Sequence, residues 1–140
     1  MIVDASVWVA RFLAADRHHG VAMTCITALL ERDSRLLIPV LAWPEVAGAI
    51  ARRTGNADDG HDAVAIIRGL RWIESVPLDP SLAHEAAILA ASRRLRGADA
   101  VYVALAATCR EPLLTLDVEM LERARGVVDA FTPAQWLEMR

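Results

Sequence analysis

The sequence predicts an α/β fold, a three-layer α/β/α sandwich around a central parallel sheet of about five strands with a helical hairpin beside it. Two patterns carry that reading. The short apolar stretches are continuous runs, not alternations of apolar and polar residues, as expected of strands buried on both faces. Stretches with helical periodicity separate them, the interleaving from which parallel sheets are built.

Residues 1–3 open the chain as a strand, followed by a helix over 20–31, a strand over 36–38 and helices over 44–53 and 58–71. A strand over 72–76, helices over 81–95 and 99–109, a strand over 113–116 and a less regular one over 127–130 complete the order. The punctuation agrees. Pro44 suits the first turn of a helix and Thr54-Gly55-Asn56 closes it. Asp79-Pro80-Ser81 starts another helix, and Glu111-Pro112 separates a helix from a strand. Two helical segments in succession before residue 72, and two before residue 113, exceed simple alternation and give the expected hairpin. With 140 residues, no repeat and no linker, residues 1–140 are expected to form a single domain.

Composition narrows the class. The chain is 55% hydrophobic and 24% charged, too apolar for disorder. No stretch nears the roughly 18 uninterrupted apolar residues of a membrane helix, and the start lacks a basic region followed by an apolar run. A cytoplasmic protein with no membrane partner is the expectation. Cys25 and Cys109 lie far apart in helix-like segments and are expected to be reduced, buried thiols. The net charge of −3 advertises no nucleic-acid surface. All 15 basic residues are arginine, which suits bidentate phosphate contacts and equally fits a compositional bias. Trp8, Phe12 and Trp43 are read as core, and His18, His19, His61 and His84, which form no metal motif, as loop histidines.

Chemistry enters through the acids. In open parallel sheets functional groups gather beyond the carboxyl ends of the strands, where strand order reverses. Asp4 follows the first strand, Glu45 lies in the helix after the second, Asp99 begins the helix "DAVYVALAATCR" and Asp117 ends "LLTLD". Taken singly, the aspartates are natural helix N-caps and Glu45 suits a helix start. Taken together, three aspartates and a glutamate repel one another unless cations hold them, and an oxygen-only set suits Mg2+ or Mn2+ better than zinc. Ser6 and Thr115 stand two residues from Asp4 and Asp117, within reach of carboxylates or bound water, or of ordinary turn bonds.

"MIVDASVWV", the glutamate of "WPEVAGAI", "RLRGADAVYVALA" and "LLTLD", in that order, resemble a PIN domain, and the short chain resembles the VapC-type toxin ribonucleases of bacterial toxin–antitoxin pairs. By that resemblance Asp4, Glu45, Asp99 and Asp117 match the family's four catalytic acids. Asp4, Asp99 and Asp117 are then the metal ligands, Ser6 and Thr115 the accompanying hydroxyls and Glu119 a further acid. Trp43-Pro44 precede Glu45 where the family often has a small residue. The resemblance implies a PIN-like, Rossmann-like fold, Mg2+- or Mn2+-dependent hydrolysis of RNA that blocks translation, a cognate antitoxin and a homodimer.

Phosphate contacts must come from elsewhere on the surface. Arg93, Arg94 and Arg96 precede Asp99, and Arg52 and Arg53 end the helix of Glu45; these are the candidates, each also at home as a solvated helix end. Two other phosphate-handling classes fit poorly: a phosphoacceptor receiver domain wants a lysine, and haloacid-dehalogenase-like phosphatases want an aspartate where Ser6 stands. A catalytically silent PIN-like binding or scaffold module is the alternative, which loss of an acid would mark; all four are present.

Overall fold

A computed structural model describes residues 1–139. Its elements are β1 (Ile2–Val3), α1 (Ala5–Phe12), α2 (His19–Glu31), β2 (Leu36–Pro39), α3 (Ala42–Thr54), α4 (Ala57–Gly69) and β3 (Ile73–Val76). They continue with α5 (Pro80–Arg93), α6 (Gly97–Cys109), β4 (Leu113–Leu114), α7 (Val118–Ala124), β5 (Ala130–Phe131) and α8 (Pro133–Glu138). The five strands form one parallel sheet in the order β3-β2-β1-β4-β5, flanked by helices in the predicted three-layer arrangement.

The apolar runs decide this order. Ile2 lies opposite both Leu37 and Leu113, and Val3 opposite Leu114, all of them at most 1% exposed. Each such side chain contributes roughly 1.5–3 kcal/mol by leaving water, so the most apolar short strand takes the centre. The chain steps outward from β1 to β2 and β3, then returns to add β4 and β5 on the other side. The order therefore reverses between β1 and β4, and the crevice at their carboxyl ends lies at that switch.

α3 and α4 form the expected hairpin. Gly55 takes φ of 75° at the end of α3, and the Asn56 side chain accepts from the Asp58 N–H to start α4. The helices cross so closely at Gly60 that a Cβ there would stand 2.4 Å from the Ala47 carbonyl oxygen. Only glycine allows that approach.

Several expectations need correction. β4 is two residues long, not 113–116: beyond it the Thr115 N–H still reaches the Phe131 carbonyl of β5, but the Leu116 N–H turns to the Ser6 hydroxyl. The last strand lies at Ala130–Phe131, because the N–H groups of Val127 and Val128 both turn back to the Ala124 carbonyl. α1 has no counterpart in the reading above: at eight residues it spans about two turns, and Val7, Trp8, Val9 and Ala10 form an unbroken apolar run with no period to read. Cys25 is buried, but Cys109 is exposed where α6 ends. Three of the histidines are not loop residues: His19 is the first residue of α2, and His61 and His84 lie on α4 and α5, whereas His18 stands in the turn before α2 as its N-cap. Trp8 is fully buried, with Phe12 and Trp43 packed against the same core. Among the described residues no helix is long and apolar enough to cross a membrane.

Candidate active site

Asp4 leaves β1 with its backbone N–H bonded to the Leu114 carbonyl at 2.9 Å, which holds it at the switch point. Its side chain is 5% exposed. Asp4 Oδ2 accepts from Ser6 Oγ, and from Thr115 Oγ1 at 2.7 Å. Burial pushes this carboxyl above its usual range, opposed by the two hydroxyl bonds and reinforced by the charge of Asp99.

The hydroxyls also order the neighbouring backbone. Thr115 Oγ1 accepts from the Asp117 N–H at 3.0 Å, and Ser6 Oγ from the Leu116 N–H at 3.0 Å. Each uses its donor on Asp4 and an acceptor on the loop after β4, so the first and fourth acids are fixed relative to one another.

Glu45 lies in the first turn of α3, which begins at Ala42. Pro44 falls inside that turn, where a missing N–H breaks no helical bond, so the Trp43-Pro44 entry leaves the helix start intact. Tyr102 on α6 donates its hydroxyl to Glu45 Oε2 at 2.6 Å. Burial raises the Glu45 carboxyl, the tyrosine bond works against it, and the charges of Asp4 and Asp99 raise it further.

Asp99 lies in the first turn of α6, and Asp117 is the N-cap of α7. Arg96 joins them: its Nε donates to Asp99 Oδ2 at 2.9 Å and its Nη2 to Asp117 Oδ2 at 2.6 Å. Asp117 Oδ1 accepts from the Met120 N–H at 2.9 Å. Burial raises the Asp99 carboxyl; the guanidinium opposes this, and Asp117 and Glu119 add to it. Glu119 itself is exposed in the first turn of α7 and pairs with Arg123 at 2.6 Å. Capping accounts for only one of the three aspartates: Asp4 holds the N-cap position but makes no capping bond, and the N-cap of α6 is Arg96, not Asp99.

The arginines divide. Arg52 and Arg53 close α3 and line an open groove of about 690 Å³ that also takes in Ser6, Glu45, Arg17 and His18. Arg53 Nη1 is bonded to Asp16 Oδ2 at 2.5 Å. Arg93 instead donates to the Arg125 carbonyl at 3.1 Å, and Arg94 sits exposed in a left-handed conformation with φ of 56°. Only Arg96 bonds to the acids among the described residues.

The sequence reading overlooked Tyr102, Arg17 and His18. A signal existed for Tyr102, which follows Asp99 by three helical positions and so shares its face. None existed for Arg17 and His18, which a loop swings against α3.

The donor chemistry fits a hard divalent cation. The acids offer only carboxylate oxygens, and Asp4, the most buried, has neutral hydroxyls and no cation as partners. The side chains are not closed for one: among the described residues, no three of His, Cys, Asp and Glu are arranged to hold a metal ion as they stand. Arg96 and Tyr102 occupy oxygens of Asp99, Asp117 and Glu45.

A family model described as "PIN domain" matches residues 1–126. No curated protein matches the chain in sequence. Among solved structures, the VapC20 sarcin-ricin-loop-cleaving toxin of Mycobacterium tuberculosis superposes with a TM-score of 0.73 at 21% identity, covering 91% of this chain and 96% of its own. VapBC2 of Rickettsia felis, bound to a DNA fragment of its promoter, gives 0.72 at 10% identity, covering 94% and 96%. A toxin–antitoxin complex of Klebsiella pneumoniae gives 0.69 at 17% identity, again covering 94% and 96%. At such identities the likeness is one of fold.

Proposed function

The chain belongs to the PIN domain family, and from that premise we propose that it is a metal-dependent endoribonuclease, the toxin of a toxin–antitoxin pair. The observation that carries this reading is the convergence of Asp4, Glu45, Asp99 and Asp117. They are linked by Thr115, Tyr102 and Arg96 and coupled in charge, at the carboxyl ends of β1, β2 and β4. Four carboxylates brought together raise one another's cost of ionisation, a strain that a fold keeps where a cation relieves it.

Asp4 and Asp99 would hold the principal Mg2+ or Mn2+, with Asp117 and Glu45 as direct or water-mediated ligands and Glu119 as a secondary acid. The cation, when bound, supplies Lewis-acid activation of water and neutralises the phosphate. The protein's own part is orientation. Ser6 and Thr115 hold the Asp4 carboxylate in one rotamer through two donated hydrogen bonds. Tyr102 does the same for Glu45, opposing the upward pull of burial on its carboxyl. The wall of Arg52 and Arg53 beside Ser6 and Glu45 gives an RNA backbone a cationic approach to a centre that would otherwise repel it. Arg93 and Arg94 extend the cationic surface on the side of α5.

The structural neighbours that are toxin–antitoxin complexes support an antitoxin as partner. Homodimer formation, a block of translation and a cytoplasmic setting complete the reading, with residues 1–140 acting as one domain. Purified, antitoxin-free protein incubated with total cellular RNA in Mg2+, in Mn2+ and in EDTA tests it. Discrete fragments that require the metal are expected, and their mapped ends name the target. Intact RNA under every metal condition, from folded protein, would count against it.

A further inference from the structure

Among the described residues Arg96 is the one basic side chain bonded to any of the four acids Asp4, Glu45, Asp99 and Asp117, and it holds two of them at once. Its Nε and Nη2 take Asp99 Oδ2 and Asp117 Oδ2 at 2.9 and 2.6 Å. Asp117 has its remaining oxygen on the Met120 N–H at 2.9 Å, so both its oxygens are engaged. A structural ion pair would be expected to be buried or locked by further bonds. On the arginine side this one is neither: the Arg96 side chain is 65% exposed, against 14% for Asp99 and 26% for Asp117, and the arginine sits just ahead of α6, whose cap it makes with no side-chain bond. Exposed pairs of this kind are weak, and a long solvated side chain can turn away without opening the core.

We propose that Arg96 is a displaceable internal counter-ion, which neutralises Asp99 and Asp117 in the metal-free protein and competes with a divalent cation for their Oδ2 atoms. The inference rests on reading the acids as a metal site and goes beyond it, since it gives the chain its own antagonist of metal loading. It accounts for an oxygen-rich centre whose carboxylates are not closed around a cation position. By holding two acids, Arg96 sets the cation concentration at which the site fills.

Calorimetric titration of Mn2+ into wild type, Arg96→Ala and Arg35→Ala tests this. Arg35 pairs with Glu74 at 2.7 and 2.9 Å at the amino ends of β2 and β3, so its removal changes the net charge equally, away from the acids. Arg96→Ala is expected to bind Mn2+ about fivefold to tenfold more tightly at low salt, with the gap narrowing at high salt. Arg35→Ala is expected to stay within about twofold of wild type. Unchanged or weaker Mn2+ binding by Arg96→Ala, beside a wild type that binds, overturns the competition and leaves the metal site standing. If neither protein takes up Mn2+, the metal reading falls and this inference falls with it. Both positions are exposed, and circular dichroism of each variant checks that the fold is kept.

Discussion

The Tyr102 hydroxyl and the Glu45 carboxylate meet at 2.6 Å, a bond between α6 and α3 that spans 57 positions of sequence. Tyr102 is fully buried and Glu45 half-buried, so the phenol has its partner at the border between core and groove. Tyr102→Phe should cost about 1–2 kcal/mol of stability, read from the urea midpoint, while the fold persists. Glu45 loses the donor that offsets its burial, so cleavage by the variant should need a higher pH than the wild type.

Thr115 links two acids through one oxygen, donating to Asp4 Oδ2 at 2.7 Å and accepting from the Asp117 N–H at 3.0 Å. Thr115→Val keeps the shape and leaves a buried carboxylate and an amide short of partners. It should destabilise by about 2–3 kcal/mol in denaturant melts, and Thr115→Ser should recover most of that loss.

Stability should fall as pH rises above the ordinary carboxylate range in metal-free protein. Burial, ahead of the neighbouring charges, raises the carboxyls of Asp4, Glu45 and Asp99 in the fold. A raised acid binds more protons folded than unfolded, so its contribution is complete below the unfolded pKa and is lost as pH climbs through the folded one. Asp16 has the opposite slope: despite its burial, Arg53 and the His18 N–H hold it low, so its contribution disappears on acidification. Thermal melts should therefore give a Tm that falls as pH is raised from the ordinary carboxylate range, about 4, towards neutrality and beyond. Asp4→Asn, which removes the most buried of the three charges, should flatten that slope and raise Tm at the alkaline end.

Gly60 tests the hairpin that carries Glu45. A methyl group there would collide with the Ala47 carbonyl, a backbone atom that cannot rotate away. Gly60→Ala should cost about 2 kcal/mol or more, unlike Gly20→Ala, where nothing lies within 4 Å of the added carbon.

What was legible in the sequence follows from which signals are local. The buried runs at Ile2–Val3 and Leu36–Pro39 need no partner to be read, because being apolar on both faces is a property of the run itself. α1, α7 and α8, of eight, seven and six residues, are too short to show a period. The acids were legible from their places after strands, but the partners of those acids were not. Tyr102 to Glu45 and Thr115 to Asp4 are contacts across 57 and 111 positions, which only the sheet order brings together. Arg96 was noticed for its charge and expected to face phosphate; that its head would lie on two carboxylates is a matter of rotamer, on which sequence is silent.

The most direct measurement compares wild type with Asp99→Asn, purified identically and free of any partner, on total RNA with Mn2+ or EDTA. Asp99→Asn keeps an acceptor for Arg96 and removes one charge from the centre. Mn2+-dependent fragments are expected from the wild type, with cleavage at least about a hundredfold slower from the variant, of the order found when a group acting in the transition state is lost. Equal cleavage by both proteins, with the same metal dependence, would contradict the assignment of Asp99 and with it the acidic centre described above.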